Sequence, residues 1–239
     1  MGKLSEKKKR VLCYLGLAIT FLLMGNSNNV PDIFVERIFK PITGDSWRIS
    51  YSGLIIIIGI YYCLRHLNEI KENSLIRTTF RRVIVTILLI YLFTSVWTYC
   101  IKFYKGFFND LNSIYIDREK TLVNFYGSEN ELTIGGEIEI ENCSDDTREF
   151  YIKIKTPYLV KDDINKEYVT LEHEFKLNEK EIKTIIVNEE LKFDREPKYS
   201  GYSTKAYEYI LFNDKDQVIF QGTFGEYQSD DWISKKNYN

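Results

Sequence analysis

The apolar positions of this chain change period once, near residue 120: upstream they gather in continuous runs, and downstream they alternate with polar ones. Three upstream runs, Val11 to Met24, Ile49 to Leu64 and Val83 to Ile101, contain no Asp, Glu, Lys, Arg or His. A hydrocarbon core about 30 Å thick takes about 20 helical residues, so spans of about 11–25, 49–64 and 83–102 read as membrane-crossing helices. The first is short, covering only about 22 Å at 1.5 Å per residue. With Lys7-Lys8-Lys9-Arg10 ahead of it, it also has the outline of a signal peptide. The stretch Leu22 to Asn26 is a poor small-x-small cleavage site, so an uncleaved span is expected.

Two flanking segments are amphipathic. Residues 31–40 place Pro31 and Asp32 where a helix begins and Phe34 and Ile38 on one face, which predicts a short helix on the outer bilayer surface. Phe107, Phe108, Leu111, Ile114 and Tyr115 recur at helical spacing, so the third span is expected to continue as a helical stalk over 105–118. Residues 1–104 then form a membrane domain.

Beyond the stalk, strands are predicted at 121–126, 132–141, 149–155, 168–177, 181–193, 206–212 and 217–224, from alternation bounded by turn residues. Glu137, Glu139 and Glu141 alternate with Ile138 and Ile140; Lys153 and Lys155 alternate with Ile152 and Ile154. Set side by side as a hairpin, the two strands match Ile with Ile and Glu with Lys, a register that satisfies both faces. About seven strands with no crossover helix predict an antiparallel β-sandwich of immunoglobulin-like or fibronectin-like type over 119–227, with a tail at 228–239. The expected fold class is membrane α plus all-β.

Charge orients the chain. Residues 1–120 carry 17 Lys and Arg against 9 Asp and Glu, whereas residues 121–239 carry 15 against 25. The basic residues precede the first run and lie between the second and third, at Arg65, Lys71, Arg77, Arg81 and Arg82. That places those ends in the cytoplasm and the β-domain outside it. Trp47, Tyr51, Trp97 and Tyr99 mark the opposite, outer interface. Because the positive charge sits at the ends of spans, the partner it implies is a lipid bilayer and not a nucleic acid.

Candidate chemistry is sparse. Cys13, Cys63, Cys100 and Cys143 have neither a disulfide framework nor metal-ligand spacing. The Glu137, Glu139, Glu141 row lacks the converging oxygens of a calcium loop and reads as a solvated sheet face. His173 shares its parity with Val169, Leu171, Phe175 and Leu177 and is expected to point inward; His66 lies across the membrane from it. No Walker loop, Rossmann fingerprint or nucleophile elbow occurs, so no enzyme, cofactor or metal is expected. Two features remain. The long loop bearing Arg195, Lys198, Tyr199 and Tyr202 has a recognition composition. Tyr91, Thr94, Ser95 and Thr98 line one face of the third span as a helix-packing stripe, with Gly16 and Thr20 a smaller hint of close packing on the first. The expected function is a non-enzymatic envelope interaction protein whose exported β-domain binds a protein or ligand partner. The alternatives are an accessory or immunity-type subunit acting through its helices, and an envelope enzyme with an unrecognised site.

Overall fold

The computed structural model describes residues 6–43, 48–70, 76–128, 131–157, 166–192, 202–204 and 207–222. The chain divides into two units, residues 1–27 with 32–100 and residues 28–31 with 101–239. The second unit thus takes four residues from between the first two helices, and the tail expected at 228–239 lies outside the described residues.

The first unit is helical. It holds α1 (Glu6–Met24), the short α2 (Phe34–Ile38), a two-residue strand pair β1 (Ile42–Thr43) and β2 (Arg48–Ile49), α3 (Ser52–Ile70), and α4 (Thr79–Lys105) up to residue 100. Helices α1 and α3 meet through small residues: a methyl group at Gly16 would stand 2.9 Å from the Cys63 sulfur, and one at Gly59 would stand 3.1 Å from the Thr20 hydroxyl. Phe21 stacks on Phe93 of α4, and the Trp97 indole N–H donates to the Asn26 carbonyl. Among the described residues one helix, α4, is long and apolar enough to cross a membrane, where the sequence reading has three. The other two lose their ends to polar groups: α1 opens with Glu6 and four basic residues, and α3 closes with Arg65, His66, Asn68 and Glu69.

The helical stalk over 105–118 is not formed. Helix α4 stops at Lys105, Gly106 follows with its N–H on Lys102 O and Phe103 O, and a Cβ at Gly106 would lie 2.8 Å from Cys143 O. Asp110 then caps a 3₁₀ turn, Leu111–Ser113, through the Asn112 N–H. The Gly and the Asn109-Asp110 turn pair override the apolar spacing. Leu111 and Ile114 belong to the β core cluster instead.

That unit holds β3 (Ile114–Ser128), β4 (Glu131–Asn142), β5 (Arg148–Lys155), β6 (Tyr168–Thr170), β7 (Phe175–Leu177), β8 (Ile182–Lys192), β9 (Tyr202–Thr204), β10 (Tyr209–Phe212) and β11 (Gln217–Phe220). All pairings are antiparallel, in two sheets: β8-β4-β3-β9, and β11-β10-β5-β6 with β7 also on β5. Ile134, Ile138, Ile140, Ile185 and Val187 of the first sheet share one buried cluster with Phe150, Ile152, Ile154, Leu211 and Phe220 of the second. The expected β4–β5 hairpin is therefore absent. Its two strands sit in different sheets, and their isoleucines meet in one core cluster instead of along a shared edge. The buried Asn142 carries the chain across, its amide donating to Asp146 O and Asn178 O and accepting from the Ser144 N–H and O–H.

Strand β3 bulges between Asp117 and Leu122, where the Thr121 hydroxyl donates to Asp117 O and accepts from the Glu139 N–H. Opposite the bulge, Gly136 has φ +148°, and a Cβ there would lie 2.1 Å from Leu122 O; only glycine fits.

Two side chains complete the start of β3. Asn28 pairs with the backbone of Ile116 as a strand would, donating to its carbonyl at 2.8 Å and accepting from its N–H at 2.9 Å. Lys105, 4% exposed, donates to Ile114 O at 2.7 Å, Asn29 Oδ1 at 2.7 Å and Asn112 O at 3.1 Å. A fragment comprising 119–239 lacks Leu111, Ile114, Ile116 and Asn28, and it should give a molten product without a cooperative melt by circular dichroism. In the full chain, Asn28→Ala leaves both backbone groups of Ile116 buried and unpaired, and should cost about 1–3 kcal/mol in denaturant titrations.

Candidate functional site

The outer face of the four-stranded sheet sets exposed apolar side chains beside a row of carboxylates. Ile134, Ile138 and Ile140 of β4 point to the core, so Thr133, Gly135, Glu137, Glu139 and Glu141 point away. Strand register places Leu122 and Ile186 on either side of Glu137, Asp117 and Thr184 beside Glu139, and Tyr115 and Ile182 beside Glu141. Large apolar side chains stay in solvent here: Ile186 is 67% exposed, Ile182 60%, Tyr126 51% and Leu122 40%. Isolated exposed apolar residues are ordinary; here four stand on one sheet face, with Leu122 and Ile186 flanking Glu137 in a single row.

Two of the carboxylates are neutralised from within. The Lys120 ammonium lies 2.6 Å from Glu139 and 3.8 Å from Asp117; its hydrogen bond to Glu139, and then that carboxylate's charge, hold it above the usual lysine range. Lys102 lies 2.6 Å from Glu141 and 4.8 Å from the Tyr115 ring centre. The expected partners, Lys153 and Lys155, lie in the other sheet. Lys153 covers the Phe212 ring at 4.3 Å, and Lys155 reaches Glu208 at 3.5 Å. The Phe212 ring centre also lies 5.6 Å from that of Tyr151 at a 30° tilt, and the Tyr168 hydroxyl donates to Glu208. Burial first, then the Glu208 hydrogen bond, push the Tyr168 phenol above its usual range.

The sequence candidates fall unevenly. Arg195, Lys198 and Tyr199 lie outside the described residues, while the backbone of Tyr202 opens β9 and pairs with Phe125 at the edge of the four-stranded sheet. Tyr91, Thr94 and Ser95 are exposed on α4, and the Thr94 and Ser95 hydroxyls donate to Tyr91 O on their own helix. Thr98 is half-buried. His173 does not point inward: the 168–177 stretch breaks into β6 and β7, and His173 is exposed in the bend between them. His66 stands 2.9 Å from Glu69 beside a cavity of about 500 Å³ that Cys13 and Cys63 also line. No group of three or more His, Cys, Asp or Glu among the described residues could hold a metal ion.

What sequence reading missed is the exposure of these apolar side chains. One signal was available: β8 carries Ile182 and Ile186 on one parity and Ile185 and Val187 on the other, the pattern of a strand covered on both faces. The chain matches no known protein family, no curated protein and no solved structure.

Cys143 is 4% exposed, and burial, then the Glu141 charge, push its thiol up to about 11. In the native chain at neutral pH it should resist maleimide, and it should be labelled at once after denaturation. Mass spectrometry of the labelled peptide reads the difference.

Proposed function

We propose that this chain is a membrane-anchored, non-enzymatic interaction protein whose β unit, a sandwich of immunoglobulin or fibronectin type, binds a protein partner outside the cytoplasm. The observation that carries this reading is the exposure of Leu122, Tyr126, Ile182 and Ile186 on a sheet face whose carboxylates Glu139 and Glu141 are already paired. The single core cluster shared by the two sheets supports the sandwich. Anchoring rests on α4, and α1 and α3 cross as well, with their polar ends at the bilayer surface. Their basic ends, Lys7 to Arg10 and Arg65 to Arg82, set them inside.

A second reading, an accessory subunit acting through its helices, draws on the exposed hydroxyl stripe of Tyr91, Thr94 and Ser95 on α4. Two variants separate the readings when cross-linked partners are isolated from intact membranes in mild detergent. Under the first, Ile182→Asp with Ile186→Asp abolishes the cross-links and Thr94→Leu with Ser95→Leu leaves them; under the second, the pattern reverses. For topology, a reporter active only outside the cytoplasm, fused after Asn239, should be active. Activity of a cytoplasm-only reporter at that position would overturn the orientation.

A further inference from the structure

Between the row Tyr126–Thr133–Glu190 and the row Leu122–Glu137–Ile186, the exposed sheet face carries Asn124, Gly135 and Asn188 in register. The middle position has no side chain, and nothing in the fold demands that. Gly135 does not share the left-handed φ of Gly136, and the nearest atom to a Cβ built on it is Val187 O at 4.0 Å. Any small residue fits here sterically. What glycine does is lower the sheet surface, leaving a trough floored by backbone and flanked by two side-chain amides. Each amide offers both a donor and an acceptor, the same pair that a peptide bond presents.

Glu137 borders this trough. Among the described residues it has no ion pair, whereas its row-mates Glu139 and Glu141 have Lys120 and Lys102. On either side of it stand the exposed aliphatic chains of Leu122 and Ile186. A carboxylate between two aliphatic groups complements a side chain with an apolar stem and a cationic head. We propose that the trough takes an extended peptide segment of a partner protein, its backbone across Gly135 between Asn124 and Asn188. One lysine or arginine of that segment lays its stem between Leu122 and Ile186 and its charge on Glu137. An oligosaccharide is the less fitting occupant: it would want ring faces to stack on, and of the two bordering rows only Tyr126 offers one, while aliphatic chains flank the carboxylate.

This inference rests on the proposed interaction role and names the partner chemistry of the same face. The test uses the full chain in neutral maltoside detergent and fluorescence anisotropy. The probes are a tagged octapeptide of Thr, Val and two Lys, the same peptide with Glu for Lys, and a chitin tetrasaccharide as competitor; empty micelles give the background. The Lys peptide should bind about tenfold more tightly than the Glu peptide. Glu137→Gln should weaken the Lys peptide about fivefold and remove most of the discrimination, as for one solvent-accessible ion pair. Gly135→Val should weaken both peptides while the circular dichroism melt stays cooperative; if that variant melts early, Gly135→Ser serves in its place. Equal binding of the two peptides, no peptide binding, discrimination that survives Glu137→Gln, or displacement by the tetrasaccharide would each overturn the proposal. Those outcomes leave the broader interaction role standing, since that role fails separately if cross-linked partners persist after the Ile182 and Ile186 substitutions.

Discussion

A buried backbone must find hydrogen-bond partners inside the protein, and the β unit depends on how that demand is met at Ile114 and Ile116. Both residues are fully buried on β3, close behind the turn that ends α4. The Asn28 amide supplies Ile116 with the donor and acceptor of a missing strand, and Lys105 gives one of its three protons to Ile114 O. A buried ammonium is tolerable only when its protons are taken up, and here three oxygens replace water. From that start β3 runs on to Ser128, pairs β4 along its length and brings Val123 and Phe125 into the core.

Much of this was legible, and the failures have physical causes. Alternation located the strands because a half-buried strand must alternate. It did not say which strand lies beside which. A pattern that matches Ile to Ile between two strands in one sheet serves equally when the two strands contribute to one core from different sheets. Charge could not break that tie, because Glu139 and Glu141 found lysines at positions 120 and 102. The stalk failed for a different reason: helical spacing of apolar residues is a weak argument across Gly106 and Asn109-Asp110, which end helices by backbone chemistry. The long 168–177 strand likewise breaks at a bend.

The site was less readable than the fold. An apolar residue in a strand counts as core by default, so nothing in the sequence marks Leu122, Ile182 and Ile186 as exposed. The row of three glutamates was visible, but its uneven neutralisation depends on Lys102 from the end of a helix and Lys120 from a bulge. Gly135 and Gly136 look alike in sequence. Only the backbone separates them: one is required by its conformation, and at the other a Cβ would meet nothing nearer than Val187 O at 4.0 Å.

Asn28 and Ile116 are 88 residues apart in the chain. The loop that completes the β unit therefore leaves the ribosome before α2, α3 and α4 exist. At about 5–20 residues per second, Asn28 waits roughly 4–18 s for its partner. Closure across so long a separation is entropically slow. The β unit consequently cannot finish folding in the order in which it is made: its first segment must be held in reserve while three helices are delivered, and the unit closes only when the start of β3 arrives.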